Sequence, residues 1–176
     1  MSVTIRRARR DDIDFIMQTE RGDGYEDFVG RWDRTMHEAE LSKPGSAYLI
    51  GERDGISHGF AILKDLDDPC GNVLLKRIAV REPGAGFGRA FLRSTMSWVF
   101  EGLPCHRLWL DVLMHNDRAR HVYRSVGFKE DGVMREAYVL PDGRRVSQML
   151  MSVLRPEWES ACAGGAETKR SPMPGA

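Results

Sequence analysis

The sequence predicts a single α/β domain built on a mixed central sheet of about seven strands, with helices on both faces. Strand-like alternation and helix-like spacing of apolar residues follow one another along the 176 residues. An Asp54-Gly55 pair between two β-rich runs is a strong hairpin signal. An apolar run that ends at Val80, followed by a glycine-rich loop and a helix, predicts a parallel crossover. Hairpins combined with a crossover make the sheet mixed.

The predicted elements follow the order β-α-α-β-β-β-α-β-α-β-β. The first helix follows Asp11 or Asp12 as N-cap, and Gly127 ends the last helix. The strands are predicted over residues 3–7, 47–52, 59–66, 73–80, 108–113, 128–140 and 144–154, and the second helix over residues 25–41. The domain is expected to cover residues 1–160, and residues 161–176, rich in Gly, Pro, Ser and Ala, are expected to form a flexible tail.

Composition excludes several classes of protein. Hydrophobic residues make up 41% and charged residues 30%, which suits a globular core. The net charge of +0 argues against a dedicated nucleic-acid binder. No apolar run is long enough to span a bilayer, and the N-terminus lacks a signal-peptide core, so a cytoplasmic location and no membrane partner are expected. The three cysteines have no CxxC spacing, so neither a disulfide nor a metal site is expected.

A glycine-rich loop separates the strand that ends at Val80 from the next helix. Gly84, Gly86 and Gly88 leave backbone N–H groups uncovered, and these groups with the helix N-terminus and Arg89 suit a phosphate or pyrophosphate. A P-loop is excluded because its Lys and Ser/Thr are missing after Gly88. A Rossmann site is excluded because the pattern is GxGxG and lies past the middle of the chain. The spacing of the glycines alone is also consistent with a tight turn that binds no ligand.

A second motif lies downstream of the glycine loop. Asn116 and Tyr123 are seven residues apart, so two helical turns place them on nearly the same face. Taken singly, Asn116 is equally explained as an N-cap and Tyr123 as a core aromatic residue. The whole motif comprises Leu110, Val112, Asn116, Ala119, Tyr123, Gly127 and Phe128.

The two motifs together resemble those of the GNAT superfamily of N-acetyltransferases. The family forms are Gln/Arg-x-x-Gly-x-Gly/Ala after a strand ending Ile-Ala-Val, and Leu-x-Val, Asn-x-x-Ala and Tyr-x-x-x-Gly-Phe. The Gln/Arg position falls on Pro83, which removes one N–H donor. The resemblance covers about residues 59–158 and is nearest to the ribosomal-protein N-terminal and polyamine acetyltransferase branches.

The resemblance implies a GNAT fold and direct transfer of an acetyl group from acetyl-CoA, the co-substrate, to a primary amine. Tyr123 would protonate the leaving thiolate, and backbone N–H groups of the strand before the loop would polarise the thioester carbonyl. The acceptor would be a protein N-terminus, a polyamine or a small metabolite. The implied cofactor-binding residues are Ile78, Ala79, Val80, Gly84, Ala85, Gly86, Phe87, Gly88, Arg89, Asn116, Ala119 and Tyr123.

The general base is assigned to Asp111. In relatives resembling ribosomal-protein acetyltransferases a Glu holds this position, and Asp111 should face away from its apolar neighbours Leu110 and Val112, into the cleft. His115, Glu136 and a water relay stay open as alternatives, and so does a solvated or Arg-paired Asp111.

The acceptor region is expected near residues 20–32, which would form a substrate lip, with Tyr138 as a further candidate for the amine pocket. The acidic side chains Glu20, Asp23, Glu26 and Asp27 could attract a cation. The expected partner is a small-molecule or peptide amine, and a homodimer is allowed. Because of Pro83 and the lack of a strand Glu, a non-catalytic acyl-CoA-binding or regulatory module stays the alternative.

Overall fold

The computed structural model describes residues 3–26, 28–84 and 86–167, which form one seven-stranded sheet flanked by helices. The strand order is β1-β2-β3-β4-β5-β7-β6. The strands are β1 (Thr4–Arg7), β2 (Ala47–Arg53), β3 (Ile56–Lys64), β4 (Asn72–Val80), β5 (Arg107–Leu113), β6 (Lys129–Val139) and β7 (Arg145–Leu154). The helices are α1 (Ile13–Glu20), α2 (Arg34–Leu41), α3 (Phe87–Gly102), α4 (Asp117–Ser125) and α5 (Arg155–Glu167), with a short 3-10 turn at Arg10–Asp12.

The mixed character of the predicted sheet is confirmed. β4 and β5 are parallel and are joined by α3, whereas the other neighbouring strands pair antiparallel. The predicted Asp54-Gly55 hairpin joins β2 to β3, and both residues have positive φ, 53° and 75°. Two consecutive residues with positive φ give the turn a twist that matches the two strands.

Two apolar layers cover the faces of the sheet. The larger layer packs α3 against the sheet through Phe91, Leu92 and Val99, each at most 1% exposed. The smaller layer packs α1 through Ile16 against Ile62 and neighbouring residues of β2, β3 and β4. Successive side chains of β2 and β3 alternate between these two layers.

The second helix is shorter than the sequence predicted. α2 begins at Arg34, so residues 25, 26 and 28–33, which were expected to be helical, form a loop instead. Asp33 starts the helix as N-cap, because its carboxylate accepts a hydrogen bond of 2.8 Å from the Met36 N–H. The helical spacing of Val29, Trp32 and Met36 was misleading, since Val29 and Trp32 line a cavity from the loop.

A helix that the sequence did not predict, α5, follows β7. It runs from Arg155 to Glu167, seven residues beyond the predicted domain boundary at residue 160. Two contacts fix its first turn: the Glu157 carboxylate accepts the Leu154 N–H, and Trp158 stacks on Phe100 at 5.2 Å between ring centroids. The rest of the predicted tail lies outside the described residues, and the assignment of residues 1–160 to one domain stays a prediction.

The described part of the chain contains no helix that is both long and apolar enough to cross a membrane.

Arg155 holds the end of α3 against α5 and supplies a test of the fold. Its guanidinium donates to the carbonyl oxygens of Phe100, Leu103 and Cys105 at 2.6–2.8 Å. Arg155→Met removes three charge-assisted donors and should lower the free energy of unfolding by roughly 2–4 kcal/mol. Urea denaturation measures this loss.

The matched control is Arg10→Met, since Arg10 is exposed and, among the described residues, its side chain pairs only with Glu38. A surface pair of this kind contributes at most about 1 kcal/mol. Equal losses in the two variants would contradict the structural role of Arg155.

Candidate active site

A cleft opens between β4 and β5 because the two parallel strands separate. Only Asn72, Val73 and Leu74 of β4 pair with β5, although β4 continues to Val80. The separation leaves a cavity of about 1000 Å³, which is large enough for a cofactor-sized ligand. The glycine loop, the first turn of α4 and the loop between α1 and α2 all contribute residues to the cavity lining.

The cavity wall at the glycine loop has the backbone geometry that the sequence predicted for an anion site. Gly84 and Gly86 have positive φ of 101° and 77°, and Gly86 is the N-cap of α3 without a side-chain capping bond. The first N–H groups of this 16-residue helix therefore lack a side-chain partner. Gly88 and Arg89 line the same wall, as the sequence predicted for a phosphate site. We call this wall the glycine cradle.

Arg118 is a cation of the glycine cradle that the sequence analysis missed. It lies in the first turn of α4 and lines the cavity, and a Cβ built on Gly84 would lie 3.9 Å from its Nη2. Its position between Asn116 and Ala119 gave no separate signal, because the motif requires no particular residue there. Two arginines on two different helices, Arg89 and Arg118, therefore line the same cavity.

The glycine loop also contains Pro83, which occupies the Gln/Arg position of the family motif, and two of the predicted cofactor-binding residues, Phe87 and Ala85. Pro83 lines the cavity but has no N–H to donate. The Phe87 side chain is 3% exposed and packs on His58 and Phe91, so only the backbone of Phe87 is available to a ligand. Ala85 lies outside the described residues.

Asn116 and Ala119 begin α4 at the cavity wall. The Asn116 Oδ1 accepts the Ala119 N–H at 3.1 Å, so Asn116 is the N-cap of α4. Both residues line the cavity, and the carboxamide NH₂ of Asn116 keeps two donors for a ligand. The capping role and a ligand-binding role are therefore compatible.

Tyr123 lies on the wall of the cleft that α4 forms. The ring contacts Phe128 at 5.8 Å between centroids and lines the cavity that Asp111 also lines. Burial raises the pKa of the phenol above its ordinary value of 10, and the nearby carboxylate of Asp111 raises the pKa further. The phenol therefore keeps its proton at neutral pH.

Asp111 points into the cleft, as the alternation of β5 predicted. Its neighbours Leu110 and Val112 are buried in the α3 layer, at 1% and 6% exposure. The Asp111 carboxylate accepts a hydrogen bond from the Gln148 amide of β7. This bond orients the carboxylate, and the second carboxylate oxygen remains to accept a hydrogen bond or a proton from a bound amine.

The edge of β4 presents backbone groups to the cleft. The Arg81 N–H donates to the His58 carbonyl of β3, so by alternation the N–H groups of Val80 and Ile78 point away from β3, towards the cleft. Ala79 also lines the cavity, but the same alternation directs its N–H towards β3. The strand thus offers two cleft-facing donors where the sequence analysis named three residues.

Tyr25 of the loop between α1 and α2 occupies one of these donors. Its hydroxyl accepts the Val80 N–H at 3.1 Å and donates to the Val80 carbonyl at 3.0 Å. The unpaired end of β4 thereby gains a partner that β5 does not supply. No sequence pattern pointed to Tyr25, because its partner is 55 positions away.

Glu20 was expected to attract a cation at the substrate lip, but its side chain is fully buried. It accepts hydrogen bonds from Arg77 on β4 at 2.8 Å and from Arg21 at 3.0 Å, and His37 Nε2 lies 3.3 Å from its Oε1. Arg77 also lies against the Trp32 ring at 4.5 Å. Burial lowers the pKa of the Arg77 guanidinium, while the charge of Glu20 opposes the shift. This buried network fixes the lip to β4.

The other residues predicted for the substrate lip or as the general base form two groups: those that line the cavity and those that do not. His115 and Tyr138 line the cavity, and His115 contacts the Phe28 ring at 5.5 Å between centroids. Asp23 lines the cavity as well, whereas Glu26 and Glu136 do not, so Glu136 is disfavoured as a base. Asp27 lies outside the described residues.

Comparison with known proteins assigns the class. The sequence model of the Acetyltransferase (GNAT) family matches residues 13–128, well over half of the chain. The chain therefore belongs to the GNAT acetyltransferase family, which confirms the resemblance carried by the two motifs. The class is that of acetyl-CoA-dependent acetyltransferases, with acetyl-CoA as the co-substrate.

Individual relatives fall into two substrate groups. The chain is 29% identical over 145 residues to an N-alpha-acetyltransferase of Sulfurisphaera tokodaii, covering 76% of this chain and 84% of the relative. It is 30% identical over 81 residues to a spermidine N(1)-acetyltransferase of Vibrio cholerae, covering 46% of each chain. A solved structure of spermidine N-acetyltransferase from Vibrio cholerae in complex with CoA and spermine is 19% identical, with a TM-score of 0.79 over 89% of this chain and 98% of that chain. This last similarity shows the fold alone.

Arg118 supplies a test of the glycine cradle. Arg118→Gln removes one of the two cradle cations and should weaken acetyl-CoA binding about tenfold, since a charged donor to phosphate is worth roughly twice a neutral one. Isothermal titration calorimetry at low salt measures the affinity, and the difference should shrink as salt is added.

The control is Arg124→Gln, which removes a cation from the same helix that pairs with Glu130 and does not line the cavity. An unchanged affinity in Arg118→Gln, or an equal loss in both variants, would remove Arg118 from the cradle.

Proposed function

We propose that the protein transfers the acetyl group of acetyl-CoA directly to a primary amine bound in the cleft between β4 and β5. The observation that carries this proposal is the convergence of four features on one cavity. These are the glycine cradle, the cleft-facing N–H groups of β4, the Tyr123 phenol and the Asp111 carboxylate. Each feature matches one requirement of acetyl transfer to an amine.

The glycine cradle would hold the pyrophosphate of acetyl-CoA. Its helix N-terminus, Arg89 and Arg118 supply partial and formal positive charge. The rest of the co-substrate would then extend along the free edge of β4, whose backbone groups β5 does not use. The thioester is thereby directed towards the middle of the cleft.

The N–H groups of Ile78 and Val80 are the proposed donors to the thioester oxygen. Such donors stabilise the negative charge that develops on this oxygen as the amine attacks. The Tyr25 hydroxyl holds the Val80 N–H in this structure, so the Ile78 N–H is available at once and the Val80 N–H only after Tyr25 moves.

Two side chains would handle the protons. The amine nitrogen attacks the carbonyl carbon and loses one proton to Asp111, directly or through a water molecule. The C–S bond then breaks, and the sulfur takes the proton of the Tyr123 phenol. The raised pKa of Tyr123 keeps this acid protonated before the transfer.

A CoA-release assay tests the proposal. The purified chain is mixed with acetyl-CoA and a panel of amines: short peptides with free N-termini, polyamines and amino acids. CoA release above the rate without amine supports the proposal. Tight acetyl-CoA binding without release for every amine would instead support the alternative, a non-catalytic acyl-CoA-binding module. The cytoplasmic location and the homodimer stay predictions.

Tyr123→Phe tests the proposed general acid. The change keeps the ring and removes only the hydroxyl, so kcat should fall by about 10²–10⁴-fold while acetyl-CoA affinity stays nearly unchanged. Because the pKa of Tyr123 is raised above 10, the phenol keeps its proton below about pH 10. Wild-type kcat should therefore show no descending limb up to that pH. Steady-state kinetics across pH measure both effects.

Weakened acetyl-CoA binding with unchanged kcat would instead make Tyr123 a binding residue. Full activity with normal binding would leave it a packed aromatic residue.

Asp111→Asn tests the proposed base. Asparagine has the same shape and can still accept the Gln148 hydrogen bond, but it cannot take a proton. The rate should fall about 10²-fold or more, and the acidic limb of the kcat/KM profile should flatten. Acetyl-CoA affinity, measured in parallel, should not change. A variant with the wild-type rate and profile would assign proton removal to water or to another group such as His115.

A further inference from the structure

Tyr25 connects the lip between α1 and α2 to the edge of β4 that faces the cleft. Its hydroxyl accepts the Val80 N–H at 3.1 Å and donates to the Val80 carbonyl oxygen at 3.0 Å. One hydroxyl group thus satisfies both backbone groups that Val80 points away from β3. In an antiparallel sheet, a residue of the neighbouring strand forms such a pair of bonds. The Tyr25 side chain therefore takes the place of a strand residue at the end of β4.

The contact of Tyr25 with Val80 is independent of the contacts that hold the two ends of the lip. The Trp32 N–H donates to the Glu20 carboxylate at 3.2 Å, and the Arg21 guanidinium donates to the Trp32 carbonyl oxygen at 2.8 Å. Among the described residues of the lip between these ends, Tyr25 has the one side chain that hydrogen-bonds to β4. Breaking the Tyr25 contact therefore breaks no bond of the Glu20 network.

Tyr25 also lies close to the groups that are proposed to react. It lines the same cavity as Tyr123 and Asp111. Burial is the largest cause of the raised pKa of Tyr123, the Asp111 carboxylate adds to it, and the Tyr25 phenol makes a further contribution, so the two phenols are neighbours. The Val80 N–H is one of the two proposed donors to the thioester oxygen. The Tyr25 hydroxyl thus occupies a donor that the proposed reaction uses.

Few chemical groups can replace the Tyr25 hydroxyl on Val80. The replacing ligand must accept one hydrogen bond and donate another at the edge of a strand, as an amide does. The pantetheine arm of acetyl-CoA contains two amides and ends in a thioester carbonyl. The nucleotide half of CoA, which ends at the pyrophosphate, has none of these groups. The arm and the nucleotide half therefore differ in their ability to displace Tyr25.

We propose that Tyr25 is an internal competitor of acetyl-CoA, and that the pantetheine arm displaces the phenol from Val80 when acetyl-CoA binds. This proposal rests on the placement of the co-substrate along β4 in the proposed function. The Tyr25 contact lowers the affinity for ligands that carry the arm and does not change the affinity for ligands that lack it. It also keeps the Val80 donor covered until a thioester is bound.

Tyr25→Phe tests the competition, because it keeps the ring and removes only the hydroxyl. The variant should bind acetyl-CoA about tenfold more tightly than the wild-type chain, since the contact with Val80 no longer has to be broken. The nucleotide half of CoA, 3′-phospho-ADP, should bind both proteins equally. Isothermal titration calorimetry of the full chain with each of the two ligands measures the affinities.

The matched control variant is Tyr138→Phe. Tyr138 also lines the cavity, but among the described residues its hydroxyl forms no hydrogen bond with Val80. Removing this hydroxyl should leave the affinity for acetyl-CoA unchanged. A gain of the same size in Tyr138→Phe would show that loss of any phenol hydroxyl from the cavity improves binding, and would overturn the role of Tyr25.

Urea denaturation without ligand separates competition from a merely structural role. If the contact exists only before acetyl-CoA binds, Tyr25→Phe should increase the equilibrium constant for unfolding by the same factor by which it improves acetyl-CoA binding. A structural role predicts a different pattern, in which the variant loses both stability and affinity for acetyl-CoA. That pattern would overturn the proposal.

Tyrosine ring signals in nuclear magnetic resonance report the displacement directly. The chain has four tyrosines, so isotope-labelled tyrosine gives four sets of ring signals, and the set that is missing from Tyr25→Phe belongs to Tyr25. Saturation with acetyl-CoA should shift the Tyr25 signals, whereas 3′-phospho-ADP should leave them in place. Tyr25 signals that stay in place with acetyl-CoA, or that shift equally with both ligands, would contradict displacement by the arm.

The outcomes keep this proposal separate from the proposed function. Unchanged or weaker acetyl-CoA binding in Tyr25→Phe, together with CoA release in the amine assay, would overturn the competition and retain catalysis. Tighter acetyl-CoA binding in Tyr25→Phe without CoA release for any amine would retain the competition and overturn catalysis.

Discussion

The separation of β4 from β5 is the constraint on which the site depends. After three residues paired with β5, the backbone donors and acceptors of β4 that point away from β3 have no strand partner. Unpaired backbone groups inside a protein are costly unless another group satisfies them. Tyr25 satisfies those of Val80 in this structure, and acetyl-CoA would satisfy the remainder. The same gap produces the cavity of about 1000 Å³ and brings α4, with Tyr123, opposite the β4 edge. The cleft is thus a gap between two neighbouring strands of a sheet that is otherwise continuous.

The buried Glu20 network determines the geometry of the other end of the cleft. A carboxylate with no solvent exposure persists only when it is paired, and here Arg77, Arg21 and His37 surround it. The network joins α1, α2 and β4, so it holds the two helices that flank the lip against the strand. Arg77 therefore has two roles: it neutralises part of the Glu20 charge, and it presents a cation to the cavity.

The environment of the cleft keeps the Tyr123 phenol protonated. Burial and the Asp111 carboxylate both raise the pKa of Tyr123, so the group that should give up a proton holds it firmly before the reaction. A developing thiolate in the same low-dielectric cleft would be poorly solvated, which favours proton transfer to it. Asp111 thus contributes twice: as the proposed base for the amine, and as a charge that keeps Tyr123 protonated.

The sequence by itself determined the order of the elements from β1 to β7, the glycine-rich loop and the Asn116–Tyr123 motif, because these depend on local spacing and on residue types within one segment; it did not predict α5. It also placed Asp111 in the cleft, since alternation along one strand is a local property. Contacts across the fold decided the rest. The end of β4 meets Tyr25 at a separation of 55 residues, and Glu20 meets Arg77 at 57. Neither partner has a periodic signature, so helical spacing wrongly extended α2 over the lip and an acidic pattern wrongly made Glu20 a surface residue. Only the tertiary structure decides which charged side chains share the Glu20 carboxylate, because these side chains lie on segments that are far apart in the sequence.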